Sequence, residues 1–195
     1  MIIVTSRETI DLSGQDRDRI ALSLQHLFRN LYERHEIVQE VLIDGIVFRE
    51  GYREYLLENT ERVRRVEIRT VPAEEWVGEI AQELKGYLPR VINALDSISE
   101  LFYGEMNEDD WTYFGQLTEG ISWVMQSVQV IRHHLERVGK NADLLAVLTG
   151  FEIDLTAQLS ELSRELESGD HTAVGDRIKY EFPPLFQNLL DQLAG

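Results

Sequence analysis

The apolar positions of this chain fall into two regimes. Up to residue 71 they come in short alternating runs, and from residue 73 they recur every three or four residues. The first spacing belongs to strands and short helices, the second to long amphipathic helices.

The longest pattern lies between residues 73 and 138. Val77, Ala81, Leu84, Leu88, Val91, Leu95, Ile98 and Phe102 step alternately by four and three, which keeps one seam against its neighbours along a whole helix. Pro72 precedes the stretch, and Glu74 and Glu75 favour a helix N-terminus there. Pro89 lacks the N–H that would bond the Lys85 carbonyl, and Gly86 weakens the same turn. The seam stays in phase across them, so a kink is expected rather than a stop.

After the loop Gly104-Glu105-Met106-Asn107, a second stripe runs through Trp111, Phe114, Leu117, Ile121, Val124, Val128, Ile131, Leu135 and Val138. Asn107 is placed to cap this helix, with Glu108, Asp109 and Asp110 in its first turn. Gly139 suits its C-terminal end, near Arg132, Arg137 and Lys140. So short a loop makes the two helices antiparallel neighbours.

Two more helices follow. Asn141 or Asp143 opens a third, with Leu144, Leu148, Phe151, Leu155, Leu159, Leu162 and Leu166 as its seam. Ser168-Gly169-Asp170 ends it and caps a fourth, which carries Val174, Ile178, Phe182, Leu185, Leu189 and Leu193. Pro183-Pro184 must break or kink that fourth helix. The economical packing is an antiparallel four-helix bundle over residues 73–195. The stretch Leu84–Pro89 resembles Ile178–Pro183, each placing a proline after a Lys and a Tyr. A duplicated hairpin and chance both account for it.

Residues 1–71 predict a small α+β domain. Ile2 to Val4 and Thr9 to Leu12 are strands joined at Arg7-Glu8, and a helix over residues 16–34 buries Ile20, Leu24, Leu27, Phe28 and Leu31. Ile37 to Ile43 and Ile46 to Phe48 flank Asp44-Gly45, a strong hairpin signal. A short helix from Tyr52 to Asn59 turns Tyr52, Tyr55 and Leu56 inward, and Arg65 to Arg69 closes the sheet. This element order is that of the ubiquitin-like β-grasp fold. The likeness is of fold alone, since Gly195 stands by itself at the C-terminal end without a second glycine. The fold class is therefore α+β, a β-grasp-like unit followed by a helical bundle.

Charge sharpens the division. Net charge is −16, with 11 basic and 13 acidic residues in 1–72 but 8 basic and 22 acidic in 73–195. Such a surface repels nucleic-acid phosphates and anionic membranes. It serves solubility, or steers a basic partner. The arginines Arg62, Arg64, Arg65 and Arg69 are the exception, and docking onto the acidic bundle is the simplest use for them. No run of apolar residues is long enough to span a bilayer, and the N-terminus has no signal-peptide pattern. The absence of cysteine excludes disulfides, thiol catalysis and cysteine-based metal sites. A bacterial cytoplasmic protein fits these features.

Catalytic motifs are missing. There is no Gly-rich phosphate loop, no nucleophile elbow and no H-E-x-x-H. Histidines 133 and 134 precede Glu136 in the reverse of the order that diiron bundles use, and they sit where a cation complements a helix C-terminus. His26, His35 and His171 are isolated. Asp176 and Glu181, beside Tyr180, are candidates for inward-facing carboxylates; a solvated face is the other use for them. No metal, cofactor or catalytic residue is expected.

The feature that favours binding is a second face of the 107–138 helix. Tyr113, Gln116, Gly120, Trp123 and Ser127 recur at three and four beside its apolar stripe. Gly120 costs about 1 kcal/mol in a helix relative to alanine. It either leaves a notch between two aromatic side chains or admits another helix closely. With Tyr87 near the expected kink, this face predicts a groove for a partner helix or peptide.

Several stretches also carry a resemblance. Leu42-Ile43-Asp44-Gly45, Tyr52 with Tyr55-Leu56 and Asn59, Leu101-Phe102-Tyr103-Gly104, Trp111, and Gly120-Ile121-Ser122-Trp123 resemble a group of uncharacterised acidic proteins from Gram-positive bacteria. The likeness covers most of the chain and brings no activity or functional residue with it. In fold and composition the bundle is also similar to flagellar export chaperones. The expected function is a non-enzymatic adaptor or chaperone-like module that binds another protein or an amphipathic, basic helix. The alternatives are a bundle that binds a small ligand or metal through inward acids, and a homo-oligomeric structural protein.

Overall fold

A computed structural model of the protein describes residues 1–194; Gly195, the last residue of the expected bundle, lies outside them. The chain is α+β and divides into two compact units between Trp76 and Val77.

Unit 1 carries strands β1 (Ile2–Val4), β2 (Thr9–Asp11), β3 (Glu36–Ile43), β4 (Ile46–Phe48) and β5 (Arg65–Pro72), with helices α1 (Arg17–Glu33) and α2 (Tyr52–Glu58). The sheet order is β2-β1-β5-β3-β4. Strands β1 and β5 run parallel; the other pairs are antiparallel. The register sets Ile10, Ile3, Val66 and Ile43 in one row across four strands. That row packs against Ile20, Leu24, Leu27 and Leu31 of α1. Period-two and period-3.6 apolar patterns thus meet in one core.

Two turn details explain the local chain. Asp44 and Gly45 both take positive φ, the backbone that a two-residue hairpin needs. The Asp44 carboxylate also accepts the backbone N–H groups of Arg64 and Arg65, which fixes the hairpin tip to the start of β5. Asp16 caps α1 by accepting the Arg19 N–H. Tyr55 departs from expectation. It is exposed and stacks on Phe48 at 4.9 Å, while Leu56 alone of the three α2 residues is fully buried. Phe28 is half-buried against Tyr52, because α1 turns Leu27 rather than Phe28 squarely onto the sheet. Of the arginine cluster, Arg65 pairs with Glu67 and Arg69 with Glu40, both on the same sheet.

Helices α3 (Ala73–Leu101), α4 (Glu108–Val138), α5 (Ala142–Ser168), α6 (His171–Asp176) and α7 (Phe182–Ala194) follow, with residues 177–181 in a π-helical segment between the last two. Asn107 and Asp110 form a capping box at α4, Gly139 ends that helix with positive φ, and Asn141 and Asp170 cap α5 and α6. The α3 seam is buried as the spacing predicts, apart from half-buried Ala81. On α4, Phe114 through Ile131 are buried, but Trp111 is exposed. It stands at the edge, 6.0 Å from Phe102 and 5.9 Å from His171, ring centre to ring centre. His171, isolated in the sequence, belongs to this aromatic corner.

The fourth helix differs from its expected register. Phe182 donates its N–H to the Arg177 carbonyl, five residues back. Pro183 and Pro184 lack donors for the next two bonds, and the wider π turn accommodates them. The buried face then runs Val174, Ile178, Phe182 and Phe186. In an ideal α-helix three such steps of four would rotate the face by about 120°; the π turn takes up that rotation. Leu185, the expected core residue, is half-buried, and Phe186 holds its place.

Candidate functional site

Helices α3 and α4 lie antiparallel within unit 2. Phe102 meets Phe114 edge-on at 5.2 Å, and further along Tyr87 meets Trp123 at 5.0 Å. Between those contacts the helices leave an open trough of about 470 Å³. Val91, Ile98 and Leu117 supply buried apolar surface, while Arg90, Ser97, Gln116 and Tyr113 bring polar groups to it. Two helix surfaces with a small side chain where a large one would interlock cannot close fully. Ala94 on α3 is such a position.

Four of the six predicted binding residues come together here. Tyr113, 54% exposed, and Gln116 line the trough on α4, Gly120 lines it further along, and Tyr87 faces it from α3. Trp123 and Ser127 do not line it. Trp123 is half-buried against Tyr87, and Ser127 is buried. The reason lies at Gly120: a Cβ there would stand 2.5 Å from the Tyr87 hydroxyl. The notch expected on α4 is filled by the chain's own phenol, and the trough lies on the Tyr113 side of it. Arg90, Ala94, Ser97 and Leu101 were not predicted. The signal of the first three was small or polar side chains flanking the α3 seam, and it needed the partner face of α4 to become a shape.

The acidic and histidine candidates have partners of their own. Asp176 is exposed and accepts a 2.6 Å hydrogen bond from Tyr103. That bond, with partial burial and the Asp176 charge, pushes the Tyr103 hydroxyl up to about 12. Glu181 is exposed. Two half-buried carboxylates of the helical unit, Glu152 and Glu165, face arginines instead. Glu152 lies 2.8 Å from Arg132 Nε, at ion-pair distance though the N–H is not aimed for a hydrogen bond. Arg177 donates twice to Glu165 and once to Gln158, and the Glu165 bonds hold its guanidinium more firmly protonated than usual, against the effect of burial. Such pairs knit α5 to its neighbours. His133 Nδ1 lies 2.7 Å from the Gln129 carbonyl of its own helix. Among the described residues, no three His, Asp or Glu side chains are grouped to hold a metal ion, and no helix is long and apolar enough to cross a membrane.

Residues 79–192 match a family described as a domain of unknown function, DUF8042. The match spans more than half of the chain, and the chain belongs to this family. No curated protein and no solved structure matches it. The matched segment contains the whole trough and none of the sheet unit.

Proposed function

We propose that this member of the DUF8042 family is a non-enzymatic protein-binding module, an adaptor or chaperone-like protein of a bacterial cytoplasm, that receives an amphipathic helix in the α3–α4 trough. The trough itself carries the proposal: an open apolar channel with polar groups along it, inside the segment that defines the family. Apolar floors give a bound helix its affinity, and polar side groups fix its register. Tyr113 supplies an exposed aromatic anchor of the type enriched at binding hot spots. The excess of acid over base in residues 73–195 favours a basic helix and would speed its encounter.

We read the helical unit as a four-helix bundle in which α6, the π segment and α7 count as one broken helix. Its acidity and helical make-up support the likeness to flagellar export chaperones. We assign unit 1 to the β-grasp class, on the strand order β2-β1-β5-β3-β4 and the helix α1 against one row of core residues. The ligand-binding alternative is weaker because Glu152 and Glu165 already face arginines and Asp110 is spent on the α4 capping box.

The test is affinity purification of the tagged chain beside Tyr113→Ala and Ala94→Arg variants. The first removes the anchor, and the second puts a cation into the apolar channel. A partner bound by the wild type and lost from both variants is the expected result. A partner retained by both would remove the trough from the reading.

A further inference from the structure

A second groove, independent of the trough, lies wholly within unit 1. It runs between α1 and α2 and encloses about 830 Å³. One side is a stripe of α1, Asp18, Leu22, Gln25, Phe28 and Tyr32, at steps of three and four; Arg53 and Leu57 of α2 form the other. This stripe sits next to the buried face Ile20, Leu24, Leu27 and Leu31 and points elsewhere. Leu22 is 55% exposed and Tyr32 63%. A surface helix ordinarily spends one face on its core and leaves the remainder polar. Two apolar faces on one helix call for a second neighbour.

The charges on the stripe say which neighbour. Asp18 stands at its N-terminal end. Arg29 stands toward the opposite end, and the Arg53 guanidinium of α2 lies 4.5 Å from the centre of the neighbouring Phe28 ring. The groove is anionic at one end, cationic at the other and apolar between. An antiparallel copy of α1, related by a twofold axis near Gln25, would bring Asp18 of each chain opposite Tyr32 and within about one helical turn of Arg29 of the other, inside the reach of an arginine side chain. The same operation sets Leu22 against Phe28, and both contacts occur twice. That reciprocity is what an isologous interface requires.

We propose that this face is a homodimer interface, with the α1 helix of a second copy of the chain seated in the α1–α2 groove. The contact is about four turns long, which places it at the small end of specific interfaces, below about 1,200 Å². A weak, reversible dimer is expected. Arg29 has a weak competitor within its own helix, Glu33 at 4.0 Å. Pairing across the twofold replaces a contact that exposed groups gain little from.

The test uses the full chain and two charge reversals, Asp18→Arg and Arg29→Asp. Both side chains are exposed, so neither change disturbs the core. Sedimentation equilibrium of the wild type should give a monomer–dimer isotherm. Each variant alone meets like charge at both ends of its interface and should dissociate at least about tenfold more readily. An equimolar mixture should recover the dimer, because both reciprocal contacts then join Arg to Asp. Leu22→Glu should weaken the dimer without altering either charged residue. A wild type that stays monomeric at every concentration would overturn the proposal and leave the groove to a different occupant. So would a dimer that survives Leu22→Glu, or variants whose mixture gains nothing.

Discussion

Helix α3 and the segment from α6 to α7 meet the same obstacle in different ways. Each carries proline where an uninterrupted helix would place an ordinary residue. Helix α3 stays α-helical through Pro89, whereas the C-terminal segment opens into a π turn before Pro183 and Pro184. One proline forfeits one hydrogen bond, and Pro89 sits on an exposed side of α3, where water can take the Lys85 carbonyl. Tandem prolines forfeit two bonds in succession and crowd two carbonyls. Widening the turn relieves both. The apolar spacing follows suit: α3 steps by four and three, while the C-terminal face steps by four three times. Proline number alone does not decide the outcome; the core spacing around it must agree.

The largest test of this contrast concerns the shifted register. Phe186→Ala should destabilise the protein by about 3–5 kcal/mol through the cavity it leaves. Leu185→Ala should cost about half of that or less, because Leu185 is half-buried. Urea unfolding of the two variants reads the difference directly. Equal effects, or the reverse order, would mean that the register runs as an unbroken α-helix.

Glycines give a smaller effect of opposite sign in the two regions. A Cβ on Gly175 of α6 would lie 3.1 Å from the Ser99 carbonyl oxygen and 3.2 Å from Phe102 Cβ. Gly175→Ala should therefore cost about 1–3 kcal/mol. A Cβ on Gly86 of α3 meets nothing within 4 Å, so Gly86→Ala should stabilise by about 0.5–1 kcal/mol. A thermal midpoint that rises for Gly175→Ala as well would show that α6 has room which this packing denies it.

The finest probe is the hydrogen bond from Tyr103, just past the end of α3, to Asp176 in α6. It favours the neutral phenol, so the folded protein holds that proton to about 12, against about 10 for an unperturbed tyrosine. Stability from this bond is full below pH about 10 and is lost as pH rises through about 12. The difference in urea midpoint between wild type and Tyr103→Phe should shrink across that window. A difference that stays constant with pH would assign it to packing.

Much of the fold was legible. The α4 capping box, the glycine ends at Gly139 and Gly169, and the Asp44-Gly45 hairpin all involve residues close together in sequence, so their chemistry is written locally. What escaped needed a partner from afar. Tyr87 entering the space above Gly120 joins two helices across a hairpin, and no spacing on α4 alone announces it. Tyr55 was expected inward from its apolar bulk, yet its ring found Phe48 on an edge strand instead. The exchange of Leu185 for Phe186 had a readable cause, the repeated step of four. The expected stripe moved to Leu185 after Phe182 because it assumed α-helical geometry beyond the prolines.

The parallel pairing of β1 with β5 has a consequence in time. Ile2 to Val4 leave the ribosome well before their partners Arg65 to Glu67, which come only after α1, β3, β4 and α2 have been made. Strand β2 can turn back on β1 early, but a lone hairpin is marginal in water. Closing the sheet must await a contact distant in sequence, which is slow by its topology. The long helices downstream depend on local hydrogen bonds and close hairpins. The sheet unit, synthesised before the long helices that follow it, is thus expected to spend its early life with an open strand edge, the exposure that favours wrong pairing before the right partner arrives.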